Sequence, residues 1–140
     1  MAFDLARFVT AQDDAVCPRA LDELRAGRKR THWMWFVFPQ IAGLGHSGTA
    51  RYFAITGLDE AVAYLGHPVL GARLRECASA LTSLPGDDAV AVLGPIDAMK
   101  LRSSMTLFAE AAPDETVFRE VLEKYFDGAP DPKTLDLLRG

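Results

Sequence analysis

A chain of 140 residues with 49% apolar content is long enough to bury roughly two-thirds of the surface its unfolded form exposes, and its apolar residues are spread too evenly for a membrane span of about 20 residues. A mean hydropathy of +0.06 argues against a disordered chain, and a formal charge of −4 opposes broad binding to nucleic acid. These totals predict one compact, water-soluble domain over residues 1–140.

The stretch Met1 to Phe8 carries acidic Asp4 and no long apolar core, so it matches neither a signal peptide nor an arginine-rich transit peptide, and a cytoplasmic location is expected. Within it, Leu5, Phe8 and Val9 fall at helical spacing. Cys17 to Ala26 repeats the pattern through Leu21 and Leu24 and stops at Gly27. Both segments read as short amphipathic helices. A basic cluster follows, Arg25 with Arg28, Lys29 and Arg30, the one grouping that counters the negative total. Trp33-Met34-Trp35-Phe36-Val37-Phe38 is an unbroken apolar run, too short for periodicity to separate a strand from a buried helical turn. Pro39 to Gly48 holds three glycines and a proline and reads as loop, with a helix resuming near Thr49.

Leu58 to Leu65 is the next predicted helix, with Asp59 as N-cap and Gly66 as stop, and Pro68 suits the first position of another. Leu70, Leu74, Cys77, Leu81 and Leu84 then recur at spacings of 4, 3, 4 and 3, one continuous apolar stripe that ends at Pro85-Gly86. A short segment, Asp87 to Leu93, precedes Gly94-Pro95. Ala98, Leu101, Met105 and Phe108 mark a further long helix. Beyond Pro113-Asp114, Phe118, Val121, Leu122 and Tyr125 share a face, Glu120 and Lys124 stand at ion-pair spacing, and Gly128 supplies the stop. Asp131-Pro132 caps a terminal turn with Leu135 and Leu138. The expected fold class is mainly α, a single compact helical domain with about seven helical segments and at most one or two short strands.

Cys17 and Cys77 lie in separate helical patterns without flanking ligand pairs, which suits buried thiols in a reducing compartment. His32, His46 and His67 are equally scattered, so neither a metal nor a cofactor is expected.

Gly43-Leu44-Gly45-His46-Ser47-Gly48 spells G-x-G-x-x-G, yet no further parallel strands follow to build a dinucleotide-binding sheet. What remains is a glycine loop leading into a helix, whose amide donors Ser47, Thr49 and Arg51 supplement with hydroxyl and guanidinium contacts to an anion. Trp33 and Trp35 either fill the core or stack on a ligand; on a strand both rings face one side, whereas on a helix they point about 200° apart. His32 is the ionisable group nearest the loop and can serve as acid, base or donor. Lys100, Ser103 and Ser104, at i, i+3 and i+4, share a helical face on which the lysine can reach either hydroxyl, a patch suited to phosphate. For acid and base chemistry the chain offers Asp59, Glu76, Asp87, Asp88, Asp97 and Asp131, and spacing singles out none of them.

Landmarks along nearly the whole chain resemble the small bacterial proteins classed as domain of unknown function 1810. They are Thr31-His32-Trp33-Met34-Trp35-Phe36-Val37-Phe38-Pro39-Gln40, Gly43-Leu44-Gly45, Ala50-Arg51-Tyr52, Tyr64-Leu65-Gly66-His67-Pro68-Val69-Leu70-Gly71, Lys100-Leu101-Arg102-Ser103-Ser104-Met105-Thr106-Leu107-Phe108, and Asp131 with Thr134. That resemblance implies a mainly helical domain and no particular activity. The calpastatin-like label sometimes attached to the family does not suit this chain, because calpastatin's inhibitory segments are disordered and these stripes are those of a folded core. The order of the later helical segments is also similar to the ADP-ribose N-glycosidases called NADAR, which implies a nucleotide or ADP-ribose-like ligand and a carboxylate that steadies an oxocarbenium-like transition state.

The resulting expectation is a site for an anionic small molecule of that kind, with N-glycosidase hydrolysis as the reaction it would support. Its ligand-binding residues are His32, Trp33, Trp35, Gly43, Gly45, Ser47, Arg51, Tyr52, Lys100, Ser103 and Ser104. The alternative is a non-catalytic protein-interaction or structural module whose exposed aromatics dock a partner.

Overall fold

A computed structural model describes residues 3–13 and 15–139; the first two residues of the Met1 to Phe8 stretch lie outside it. Within it run ten helices: α1 (Ala6–Gln12), α2 (Val16–Arg25), α3 (Met34–Val37), α4 (Gly48–Tyr52), α5 (Leu58–Gly66), α6 (Leu70–Thr82), α7 (Ala89–Leu93), α8 (Pro95–Ala111), α9 (Val117–Phe126) and α10 (Pro132–Arg139). The mainly α class is as predicted, and the count of about seven segments is too low. The short helices α3, α4 and α7 have only four or five residues, too few to display a 3.6-residue period. Among the described residues the β content is one parallel bridge, Ile41 to Ile55.

Helices α6 and α8 do not pack broadly on each other; α5 bridges them on one side and α9 on the other. The α6 stripe is core as its spacing requires, with Leu70, Leu74, Cys77 and Leu81 all buried. On α8, Leu101 and every residue from Ser103 to Ala109 are buried, so the second half of this helix is enclosed on all sides and lacks a clean polar face, while its first half stays open. A file of rings ties the outer helices to this centre: Phe8 of α1 meets Tyr64 of α5 at 5.1 Å, Tyr64 meets Phe108 of α8 at 5.4 Å, and Phe108 meets Phe118 of α9 at 5.9 Å. Helix α2 lies against α6, while α7 and α10 lie against α8.

Several local expectations shift for identifiable reasons. Asp59 is not the N-cap of α5; Gly57 is, and Glu60 reaches back to accept the Thr56 N–H at 2.8 Å. Arg7 adds a second hold on that buried carboxylate at 3.1 Å, tying α1 to α5. His67 Nδ1 accepts the N–H groups of Val69 and Leu70 at 3.2 Å, so the histidine rather than Pro68 organises the start of α6. Lys124 does not pair with Glu120 but donates to the Leu84 carbonyl at 2.6 Å.

The α5–α6 corner depends on Gly71, where a Cβ would stand 2.1 Å from the Leu65 carbonyl oxygen, a backbone atom that cannot step aside. Helix propensity alone favours alanine over glycine by up to about 1 kcal/mol, whereas overpacking a tight contact costs roughly 1–3 kcal/mol. The steric effect wins. Gly71→Ala is therefore expected to lower stability by about 2 kcal/mol, read as a lower urea midpoint at unchanged slope. A rise in the midpoint would refute the close approach.

Candidate functional site

The apolar run resolves as the single turn α3, with Trp33 as its N-cap residue, and the two tryptophans diverge. Trp33 is 1% exposed, its indole N–H donating to Glu23 Oε1 at 2.9 Å. Glu23, on α2, also accepts from the Arg30 N–H (2.7 Å), the Thr31 N–H (2.9 Å) and the Thr31 hydroxyl (2.7 Å). Burial pushes this carboxyl's pKa up, but the Thr31 hydroxyl, the two backbone amides and the indole together outweigh it and bring the pKa down to about 2. One carboxylate thus fixes the segment that leads into Trp33 and Trp35.

Trp35 is only partly buried, and Lys100 Nζ sits over its ring, 4.5 Å from the centroid. Lys100 also approaches Asp97 Oδ1 at 3.5 Å, while Lys29 takes Asp97 Oδ2 at 3.0 Å. Two lysines therefore share one aspartate, and this small cluster is left with a net positive charge. The Lys29 N–H donates to the Val92 carbonyl at 2.7 Å, which anchors the cluster to α7.

Lys100 opens onto a groove of about 320 Å³ bounded by the glycine loop, the first half of α8 and the start of α10. Leu44, Ile96 and Met99 supply apolar wall, and Lys100, Arg102, Lys133, Gln40, Ser103 and Asp131 supply polar groups. Ile96 and Met99 are 69% and 73% exposed, unusually open for such side chains. Asp131 Oδ2 accepts the Thr134 N–H at 3.0 Å and the Thr134 hydroxyl at 2.5 Å, the geometry of a helix N-cap. Thr134 spends its one hydroxyl proton there, so in the 2.8 Å contact between Ser103 Oγ and Thr134 Oγ1 the serine is the donor. Arg102 Nε and Nη2 bind the carbonyls of Ala129 and Pro130 at 3.0 and 2.9 Å, and Thr106 Oγ1 accepts the Asp131 N–H at 2.8 Å. Helix α8 thereby holds the Asp131 corner in place.

The glycine loop is shaped by packing. Gly43 has φ +106 and lies against Leu137, while a Cβ on Gly45 would come within 2.5 Å of the Ala50 Cβ. Ser47 caps α4, accepting the Ala50 N–H at 3.1 Å, and α4 has only five residues. The glycine pattern therefore serves close packing and a capped short turn.

Of the eleven expected ligand residues, Gly45, Lys100 and Ser103 line the groove, and Trp35 supports it from beneath Lys100. Trp33 and Ser104 are core residues, and the Ser104 hydroxyl has no hydrogen-bond partner among the described residues. His32 is exposed, Gly43 packs on α10, Ser47 is spent on its cap, and Arg51 and Tyr52 are exposed on α4, none of them lining the groove. The lysine contacts neither serine; Asp97 and the Trp35 ring hold it instead. Spacing gave no hint of Ile96, Met99, Arg102 and Lys133. For Asp131 the signal was present, since Asp-Pro-x-Thr is an N-cap pattern that also aims a carboxylate at the edge of α8. Among the described residues no three of His, Cys, Asp or Glu gather as a metal site, and no helix is long and apolar enough to cross a membrane.

Residues 2–138 match the model of a family described as Protein of unknown function (DUF1810). The chain is similar to the conserved hypothetical protein Rv1873 from Mycobacterium tuberculosis, whose crystal structure is 48% identical in sequence, aligns over 99% of this chain and 98% of that one, and superposes with a TM-score of 0.95. Among curated proteins none matches. Neither description names a ligand or a reaction, and the likeness to NADAR gains no support from them.

Proposed function

Because the chain belongs to the DUF1810 family, whose description names no activity, we propose from its own groove that it binds a nucleotide or ADP-ribose-like anion within a single cytoplasmic domain. The observation that carries this reading is the meeting of Lys100, Lys133 and Arg102 with the apolar wall of Leu44, Ile96 and Met99 around about 320 Å³. That volume falls at the lower end of small-molecule sites. Cations beside an apolar surface suit a ligand with a phosphate at one end and a flat, poorly hydrated base at the other. Asp131 is the lining carboxylate, and it is the group an N-glycosidase would need near the anomeric carbon to steady positive charge and orient water.

Thermal-shift titrations with ADP-ribose, NAD and AMP test the binding claim, a ligand at 100 times its Kd adding about 2.7 kcal/mol of stability. ADP-ribose is expected to raise the Tm, and no shift with any of the three at millimolar concentration would remove the proposal. Chromatography of the same mixtures for released base tests hydrolysis, with Asp131→Asn as the variant expected to abolish release while retaining binding. The open Ile96 and Met99 side chains also favour a second reading, docking of an apolar partner segment. It predicts a flat thermal-shift response to all three anions.

A further inference from the structure

The densest positive charge in the chain stands beside the groove. Residues 25–30 read Arg-Ala-Gly-Arg-Lys-Arg, four cations and no acid, in a protein whose total charge is −4. The fold ties this segment to the groove twice. The Lys29 N–H donates to the Val92 carbonyl at 2.7 Å, and Val92 stands shortly before Ile96 of the groove wall. The Lys29 ammonium shares Asp97 with Lys100, which lines the groove. Arg28 and Arg30, on either side of Lys29, are exposed and make no ion pair among the described residues. Resting on the nucleotide reading of the groove, we propose that its ligand is one unit of a single-stranded nucleic acid, whose neighbouring phosphates lie on Arg28 and Arg30.

Size and charge both favour this. A groove of about 320 Å³ has room for a single nucleotide and none for a base pair, so a base enters it only unpaired. Its wall is open at Ile96 and Met99, which leaves the strand a way out on the solvent side. A guanidinium with no protein partner is the group best suited to take a phosphate, by two parallel hydrogen bonds. Lys29 is spent on Asp97 and serves as the tie between the two places.

The landing points are also fixed in advance. Glu23 accepts the Arg30 N–H at 2.7 Å, its carbonyl accepts the Arg28 N–H at 3.0 Å, and the same carboxylate holds Thr31 and Trp33 ahead of the turn that carries Trp35 beneath Lys100. One residue thus positions both the basic segment and the groove lysine, so little order has to be gained on binding. The negative total repels phosphate elsewhere on the surface and keeps the footprint short. Contact with about three phosphates, at Lys100, Arg28 and Arg30, gives a slope of about −2 in log affinity against log salt.

Fluorescence anisotropy with an end-labelled oligo(dA) strand of about ten nucleotides, beside calorimetry with AMP, tests this. The strand is expected to bind at least about tenfold more tightly than AMP, with the salt slope of about −2. Arg28→Ala with Arg30→Ala should bring the strand to within about twofold of AMP and flatten the slope by about 1.4, leaving AMP binding unchanged. Lys133→Glu, a change at an exposed position, should weaken strand and AMP alike. Arg51→Ala with Arg119→Ala removes the same charge from exposed positions on α4 and α9 and should alter neither. The proposal falls, with the groove reading intact, if AMP binds and the strand binds no tighter, if a hairpin that pairs the same adenines binds as well as the strand, or if the two alanine pairs cost the strand equally. It falls too if Lys133→Glu leaves strand binding untouched, or if Arg28 and Arg30 hold phosphatidylserine vesicles while the strand stays free. Binding of neither AMP nor strand removes both readings.

Discussion

Glu23→Ala is expected to destabilise the protein by about 3 kcal/mol at neutral pH, because it leaves the buried Trp33 indole and the amides of Arg30 and Thr31 without their shared acceptor. Glu23→Gln should recover part of that, since an amide keeps one accepting oxygen but turns an NH2 group towards donors. The pH dependence has a definite sign. The folded pKa of about 2 lies below the ordinary value of 4.5, so the stabilisation is complete above the ordinary value and is lost as the pH falls towards 2. Urea midpoints of wild type and Glu23→Ala should therefore differ most at pH 7 and converge on acidification from about pH 5. A gap that stays constant with pH, or is absent at pH 7, would show that the carboxylate does not hold this segment. The effect should extend to the groove, because the latched segment leads through α3 to the ring on which Lys100 rests.

Reversing two charges at once, Lys100→Glu with Lys133→Glu, is expected to weaken ADP-ribose-like anion binding by at least about 100-fold, through loss of two charge-assisted contacts and the addition of repulsion. Lys133 is exposed and its reversal should leave stability unchanged. Lys100→Glu takes the cation off the Trp35 ring and sets a carboxylate beside Asp97 in a pair only about one-fifth exposed, so some stability is lost and affinities are compared well below the variant's Tm. Arg51→Glu provides the matched control, because Arg51 lies on exposed α4 away from the groove lining. Calorimetric affinities at one fixed salt concentration decide the matter. Equal losses in the double variant and in Arg51→Glu would indicate a diffuse field effect, and binding within threefold of wild type in the double variant would move the site elsewhere.

The sequence was most informative where periodicity had room to develop. Leu70 to Leu81 could be assigned to the core because 13 residues of α6 give the stripe several turns. Trp33 to Phe38 could not be assigned, since one turn of helix and one short strand look alike in six apolar residues, and Glu23, which determines the outcome, is ten residues from Trp33. The groove was half legible for a similar reason. Gly45, Lys100 and Ser103 belong to recognisable patterns, whereas Ile96 and Met99 look like ordinary helix residues until α10 fails to cover them. Arg51 and Tyr52 were drawn into the site by proximity in sequence to the glycines, but α4 points them elsewhere.

The bridge between Ile41 and Ile55 bears on how the groove can move. Ala42 N–H donates to the Ile55 carbonyl and Ile55 N–H to the Gln40 carbonyl, both at 2.8 Å, and both isoleucines are buried. The glycine loop is therefore a noose drawn tight at its neck. Its tip is held by Gly43 against Leu137 and Gly45 against Ala50, contacts that can part while the neck stays tied. Amide hydrogens within the noose would then exchange through a cheap local opening, and those at the neck only with the core. The wall of the groove can breathe without the fold coming apart.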